Sequence, residues 1–375
     1  MKSIHIIHFV ESNNRHEWLE NLISLLNAEG FTQTLISVEP QGAISAYLSD
    51  NYENIYVNTK RQHRLNVFTG VREVIRSRRR DSINVVFAIG HPAAVITGVA
   101  SCLVRTNFVF SHMQQPHYFE YMKPKWKGVL HTLLYRFYLS RASLTHSLSQ
   151  EVTQSLIKHS VNQERILSVF IGVDFSKIHR QLLDESVDLV ITQGSPKILM
   201  VGRLAPEKNY EMAFHAFALF LRNNPQALIL IAGDGPLKKP LDSLAKQLNI
   251  SNSVHFLGYV ENVPALMSKV DVLLHLATTE SYGQIYIEAV LSGLPIVCTP
   301  TGVAIDFAED KDIAIHITKN NSAKEIVENL EYCLSNIEND SLDKAARFSS
   351  HYKHDEDFVY EQIANGFARF TRALD

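Results

Sequence analysis

VDVLLHLATTESYGQIYIEAVLSGLPIVCTP, residues 270–300, is the stretch whose reading decides the fold. The apolar run 272–274 reads as a buried strand, and a polar turn, 277–281, follows it. Beyond Tyr282-Gly283-Gln284 the pattern turns helical from about Ile285 to Leu291. Ser292-Gly293 ends that helix, because glycine tolerates the left-handed cap conformation. Leu294-Pro295 leads into a second apolar strand, 296–298. Strand, loop, helix and strand in this order make a unit of a parallel sheet.

The chemistry sits at the turn. Glu280 lies on the loop and Glu288 lies about one turn into the helix, eight positions later. Gly283 lets the backbone approach a ligand closely. The amides of Gln284 and Ile285 stand at a helix N-terminus, where unpaired donors and the helix dipole favour a phosphate. One carboxylate on each side of such a seat could grip hydroxyls flanking a phosphate. The same residues also fit a plainer account, with Glu288 serving the helix dipole and Glu280 solvated on its loop.

The run Glu280-Ser-Tyr-Gly-Gln-Ile-Tyr-Ile-Glu288, with Ala289 and then Ser292-Gly-Leu-Pro-Ile-Val297, resembles the Glu-x7-Glu signature of family 4 of the retaining glycosyltransferases. Ser281 stands where that signature has Gly, and Gln284 where it has an apolar residue. Other stretches extend the resemblance. Gly202-Arg203-Leu204 with Lys208-Asn209 is similar to the G-R-L-x-x-x-K-[GN] element, and Gly233-Asp-Gly235-Pro to its G-D-G-P turn. Residues 169–175, VFIGVDF, are similar to N-G-V-D-x-x-x-F, with Ile171 in place of the usual Asn. The likeness is strong over 197–303 and weak before residue 100.

Composition agrees with a folded two-domain chain. The 375 residues are long enough for two cores, with 46% hydrophobic and 20% charged residues. The stretch 83–104 is the longest apolar region, but Asn84, His91-Pro92 and two glycines interrupt it, so it reads as strand, turn and helix rather than a membrane span. The N-terminal strand starts at once, which leaves no place for a signal peptide. Cys102, Cys298 and Cys333 are far apart in apolar contexts and are expected reduced and buried, as in the cytosol. Residues 1–175 carry 18 basic against 13 acidic groups, and the remainder 18 against 26. The first half is the one suited to an anionic surface.

Along the chain, 4–10, 34–38, 54–57, 85–89, 108–112 and 144–149 read as strands, with helices at 17–29, 66–79, 93–103 and 150–159. The loop 11–16, Glu-Ser-Asn-Asn-Arg-His, lacks the glycine pair usual in the family and reads as a polar turn. Residues 123–141 are basic at both ends with Trp126, Tyr135, Phe137 and Tyr138 between. They fit either an interfacial helix on a membrane or a core helix with its Lys and Arg in water. The arginines at 76–80 fit helix-end compensation or lipid head groups. Residues 176–196 are expected as a linker, 197–354 as a second domain, and 355–375 as a helix returning to the first domain, 1–175.

The resemblance implies the α/β GT-B fold, two Rossmann-like parallel-sheet domains facing across a cleft. It implies a donor site at Gly202, Arg203, Lys208, Gly235, Val260, Glu280, Gly283, Gln284, Ile285 and Glu288. Arg203 and Lys208 would neutralise the departing diphosphate, Glu288 hold the ribose, Glu280 meet the sugar, and His112 lie beside the reacting centre, with His117 its competitor. A UDP-linked sugar would be the co-substrate, with no cofactor and no metal. A glycan or lipid-linked acceptor is expected, in surface polysaccharide or lipopolysaccharide assembly on the cytoplasmic face of a membrane, and no nucleic-acid partner. A degenerate nucleotide-binding subunit, a nucleotide-sugar epimerase and a pyridoxal-phosphate phosphorylase are the other readings.

Overall fold

Apolar runs of three to eight residues, each closed by a turn, build two parallel sheets. A computed structural model describes residues 3–11, 17–39, 42–52, 55–58, 66–104, 107–111, 124–169, 172–184, 194–308, 310, 313–320, 322–336, 359, 362–363 and 365–366, with only the backbone of 17 and 56–58. Contacts divide the chain into two units, Met1–Gly172 with Glu356–Asp375, and Val173–Asp355.

In the first unit the order is β1 (Ser3–Val10), α1 (Glu17–Ala28), β2 (Thr32–Ser37), α2 (Ala43–Asn51), β3 (Ile55–Asn58), α3 (Val67–Ser77), β4 (Ser82–Ile89), α4 (His91–Leu103), β5 (Asn107–Ser111), α5 (Lys125–Arg141), β6 (Leu144–Ser147), α6 (Gln150–Lys158) and β7 (Ile166–Ser168). The strands lie as β3-β2-β1-β4-β5-β6-β7. The centre is the β1–β4 ladder, in register from Ser3↔Ser82 to Val10↔Ile89. Successive strand residues face opposite sides of a sheet. Val85, Phe87 and Ile89 accordingly pack with α1, α2, Val359 and Ile363. Val86 and Ala88 pack with α3, α4, α5 and α6.

The second unit runs α7 (Phe175–Leu182), β8 (Lys197–Val201), α8 (Tyr210–Phe220), β9 (Leu228–Ala232), α9 (Lys238–Gln247), β10 (Val254–Gly258), α10 (Val263–Met267), β11 (Val272–His275), α11 (Gln284–Leu291), β12 (Ile296–Cys298), α12 (Ala304–Phe307), β13 (Ile315–Ile317) and α13 (Ala323–Ser335). Its sheet is ordered β10-β9-β8-β11-β12-β13. Phe214, Phe217 and Phe220 of α8 sit fully buried over Ile229 and Ile231. In each sheet the strand order reverses once, between β1 and β4 and between β8 and β11. Open α/β sheets bind ligands beyond the strand C-termini at such a reversal.

The structure departs from the residue pattern in several places. The stretch expected as a linker starts with α7, capped by Asp174, which accepts from the Lys177 amide at 2.7 Å. Its Phe175 and Ile178 are buried, an i, i+3 pair too short to show a period. Cys102 is exposed, a correction to the expectation that all three cysteines are buried. It lies in the last turn of α4, past the residues that face the sheet. The polar loop at 12–16, His112, His117, Ile171, the helix expected at 342–349 and most of 355–375 lie outside the described residues.

Candidate functional site

The two loops at the second reversal come together. One leaves β8 through Gly202 and ends at Asn209, whose left-handed backbone (φ 53°) opens α8. The other leaves β11 and ends at Gly283 (φ 84°), which opens α11. The amide of Thr278 donates to the Glu207 carbonyl at 2.8 Å, pinning loop to loop. A third loop, after β9, brings the backbone of Gly233 against that of Gly202. A Cβ on Gly233 would stand 2.0 Å from the Gly202 carbonyl oxygen, so no side chain fits there.

The ammonium of Lys208 donates to Glu280 Oε1. Both side chains are four-fifths buried. Nε2 of His275, at the end of β11, lies 3.7 Å from the same oxygen. Burial alone would raise the Glu280 pKa, but His275 and Lys208 outweigh it and hold the carboxyl down at about 2. Burial lowers the pKa of His275, so its ring is neutral near pH 7. That ring meets Tyr286 edge-on at 5.1 Å, and the Tyr286 hydroxyl is 3.0 Å from Thr301 Oγ1. The carboxylate is therefore flanked by a cation and an imidazole, and the imidazole in turn by the Tyr286 ring. An ammonium has three donors, and Lys208 engages one of them on Glu280.

Gly283 is required by geometry. A Cβ there would fall 2.6 Å from the Tyr286 ring, in addition to the strain of its positive φ. The N–H groups of Gln284 and Ile285 open α11, where an α-helix has no intrahelical acceptor to offer. One turn on, Glu288 Oε1 accepts from Gln284 Nε2 at 3.1 Å. Burial pushes the Glu288 carboxyl up to about 7, against the opposing effects of Gln284 and the Lys177 charge.

The structure thus brings Gly202, Lys208, Glu280 and Gly283 into one cluster, with Gln284, Ile285 and Glu288 on the helix that follows. Arg203 lies on the same loop as Lys208 and is exposed; its carbonyl accepts from the Ala205 amide at 2.8 Å. Gly235 packs on the Leu204 backbone, where a Cβ would approach its carbonyl oxygen to 2.6 Å, which explains the glycine without a ligand. Val260 follows the end of β10 and is half-buried. His275, Tyr286 and Thr301 escaped sequence reasoning. The signal for His275 was present, a single polar residue closing the apolar run VLLH at a strand's C-terminal end. Among the described residues no group of three His, Cys, Asp or Glu is placed to hold a metal ion.

Comparison with known proteins follows the same lines. Residues 184–350 match the family model "Glycosyl transferases group 1". The chain is 34% identical over 142 residues to the alpha-monoglucosyldiacylglycerol synthase of Acholeplasma laidlawii, covering 37% of this chain and 35% of that protein. It is 24% identical over 245 residues to the N-acetylgalactosamine-N,N'-diacetylbacillosaminyl-diphospho-undecaprenol 4-alpha-N-acetylgalactosaminyltransferase of Campylobacter jejuni, covering 64% and 63%. The chain thus spans between about a third and just under two thirds of these relatives' length. The crystal structure of Anabaena Alr3699/HepE in complex with UDP is similar over 97% of this chain and 100% of that one, with a TM-score of 0.73 at 20% identity. That likeness is one of fold, and the fold is GT-B.

Proposed function

We propose, for a chain whose residues 184–350 match the family model of glycosyl transferases group 1, that it transfers a hexose or N-acetylhexosamine from a nucleotide diphosphate sugar to a glycan or lipid-linked acceptor, with retention at the anomeric carbon. The observation that carries this reading is the Lys208–Glu280 pair beside the N-terminus of α11 at the sheet's reversal. A cation, an ionised carboxylate and a helix N-terminus share one edge there. Few chemistries other than a diphosphate joined to a hydroxyl-rich group match that set.

The donor diphosphate lies on the α11 amides, with Arg203 and Lys208 supplying positive charge as the leaving group gains negative charge. Each such contact is worth about 1.5–3 kcal/mol. Glu280, held ionised, accepts from sugar hydroxyls. Glu288 accepts from the ribose. The chemistry needs no protein nucleophile. The leaving phosphate takes the acceptor's proton on the face from which it departs, and the protein contributes positioning and charge. A UDP-linked donor is favoured by the UDP in the similar Anabaena structure. A lipid-linked acceptor is favoured by the names of the two relatives, one a synthase of a monoglucosyldiacylglycerol and one a transferase whose name carries a diphospho-undecaprenol-linked saccharide. In this reading the first unit receives the acceptor, and the enzyme works on the cytoplasmic side of a membrane.

Calorimetry with UDP, GDP and ADP, with and without EDTA, tests the donor half. Selective binding of one nucleotide, unchanged by EDTA, is expected. Binding of none would overturn the nucleotide-sugar reading and leave the pyridoxal-phosphate phosphorylase reading in its place. Anomeric configuration of the product by NMR then tests retention.

A further inference from the structure

The two helix layers of the first unit differ in a way that the transfer reaction does not use. On one side of the sheet, the described side chains of α1 and α2 include the acidic Glu20 and Asp50 and no Lys or Arg. On the other, α3 to α6 carry seven basic side chains against two acidic ones. This same layer holds nine of the twelve exposed large hydrophobic residues among those described: Val67, Phe68, Ile75, Leu103, Trp126, Val129, Leu130, Leu133 and Ile157.

Helix α5 concentrates the effect. Gly128, Tyr135, Tyr138 and Leu139 are buried against the sheet layer. Trp126, Val129, Leu130 and Leu133 form a second apolar stripe at spacing i, i+3, i+4, i+7, and they are 62%, 61%, 46% and 58% exposed. At ~100° per residue this stripe lies opposite the buried one. Lys125 and Arg136 fall on one flank of it, Lys127 and Arg141 on the other. The helix has no acidic residue. On α3, Phe68 (88% exposed) and Ile75 stand beside Arg72 and Arg76. Both helices pack on the same side of the sheet, so their outward faces point the same way.

We infer that the outward face of α3 to α6 docks on an anionic lipid bilayer. An apolar stripe edged by cations on both sides suits the boundary between acyl chains and anionic head groups. Trp126 supplies the amphipathic ring such a boundary favours. A nucleic acid would use the cations but leave the Leu and Val stripe in water. The contact is peripheral, because no helix among the described residues is long and apolar enough to cross a membrane. It needs no bound nucleotide, so it stands or falls apart from the transfer reading.

The test is flotation of the full chain with phosphatidylcholine vesicles, with and without roughly a third phosphatidylglycerol, at low and high salt. Binding to the anionic vesicles alone is expected, weakening at high salt, with Trp126 emission moving to the blue. The double variant Leu130→Glu/Leu133→Glu should lose at least about tenfold in vesicle binding, and Lys125→Glu/Lys127→Glu at least about 25-fold, at roughly fivefold per positive charge lost. Tyr332→Glu, an exposed position of the second unit, should bind as the parent does. Circular dichroism checks that each variant folds. Equal binding to both vesicle types would overturn the proposal. So would a lipid-free dimer abolished by Leu130→Glu/Leu133→Glu, which would make a second copy the occupant.

Discussion

Both units reverse their strand order once, yet the two reversals carry different side chains. At β8 and β11 a cation and a carboxylate meet, and the carboxyl is held ionised far below its usual pKa. At β1 and β4 the strand ends place His91 beside Gly90, and its Nε2 lies 2.8 Å from His131 Nδ1, with the Tyr138 hydroxyl 3.2 Å from its other nitrogen. There burial, with the neighbouring His131, drives the imidazole down to about 4 and so keeps it neutral. His8 and His146, buried in the same sheet, are also lowered to about 4. Topology supplies an edge on which ligands can sit. The residues at that edge decide what it offers: a cation–carboxylate pair at the second reversal, and at the first the Glu11 side chain beside Gly90 with neutral imidazoles close by.

The largest effect that would break this contrast is on turnover. Glu280→Ala should lower kcat by about three orders of magnitude or more while UDP affinity stays within about threefold, because that carboxylate serves the sugar. A steep loss of UDP affinity in calorimetry would give Glu280 a different role. Arg203→Ala comes next. It should weaken UDP binding about 10–100-fold, the equivalent of 1.5–3 kcal/mol for a charge-assisted contact. Unchanged affinity would make the guanidinium a solvated surface group.

Acid sharpens the comparison. A histidine whose folded pKa is depressed contributes stability that is complete above its unfolded value near 6.5 and is lost as pH falls through the folded value. His8, His91 and His146 should each cost the first unit on the order of 1–3 kcal/mol between pH 6.5 and about 4. Glu280 loses its contribution only between about 4.5 and 2. Both tryptophans, Trp18 and Trp126, lie in the first unit, so their fluorescence reports it alone. Their acid transition should precede that of the second unit followed by hydrogen exchange. Simultaneous loss would mean that the buried histidines are not what sets it.

Glu288 gives the smallest effect. Its folded pKa is raised to about 7, so its contribution to stability is present below 4.5 and lost as pH rises towards 7. The ionised form is the better acceptor for ribose hydroxyls. UDP affinity should therefore rise several-fold from pH 6 to 8, and Glu288→Gln should flatten that rise. A slope that survives in the variant would point to the nucleotide's own phosphate.

Much of the second unit was legible in advance. Strands there are unbroken apolar runs, and Gly202, Gly283 and Gly293 mark turns whose backbone few other residues adopt. The first unit was harder. Helix α2, AISAYLSDN, has only Ile44 and Leu48 as buried apolar anchors among small polar residues, too few for a period. Helix α5 has apolar stripes on opposite sides, so each side weakens the periodic signal of the other. Sequence left the core and interfacial readings of 123–141 open as rivals, and α5 has a face suited to each.

By itself the sequence determined which residue types stand at which turns: Arg203 and Lys208 five apart after one strand, Glu280 and Glu288 eight apart after another. These are local facts, since strand, cap and turn are set by neighbours within a few residues. Only the tertiary structure decided that Lys208 reaches across 72 positions to Glu280, that His275 stands behind it, and that Glu280 is ionised near pH 7 while the Glu288 carboxyl titrates there. Burial and the distance between charges set those properties, and both arise from how the two loops meet at the sheet's edge.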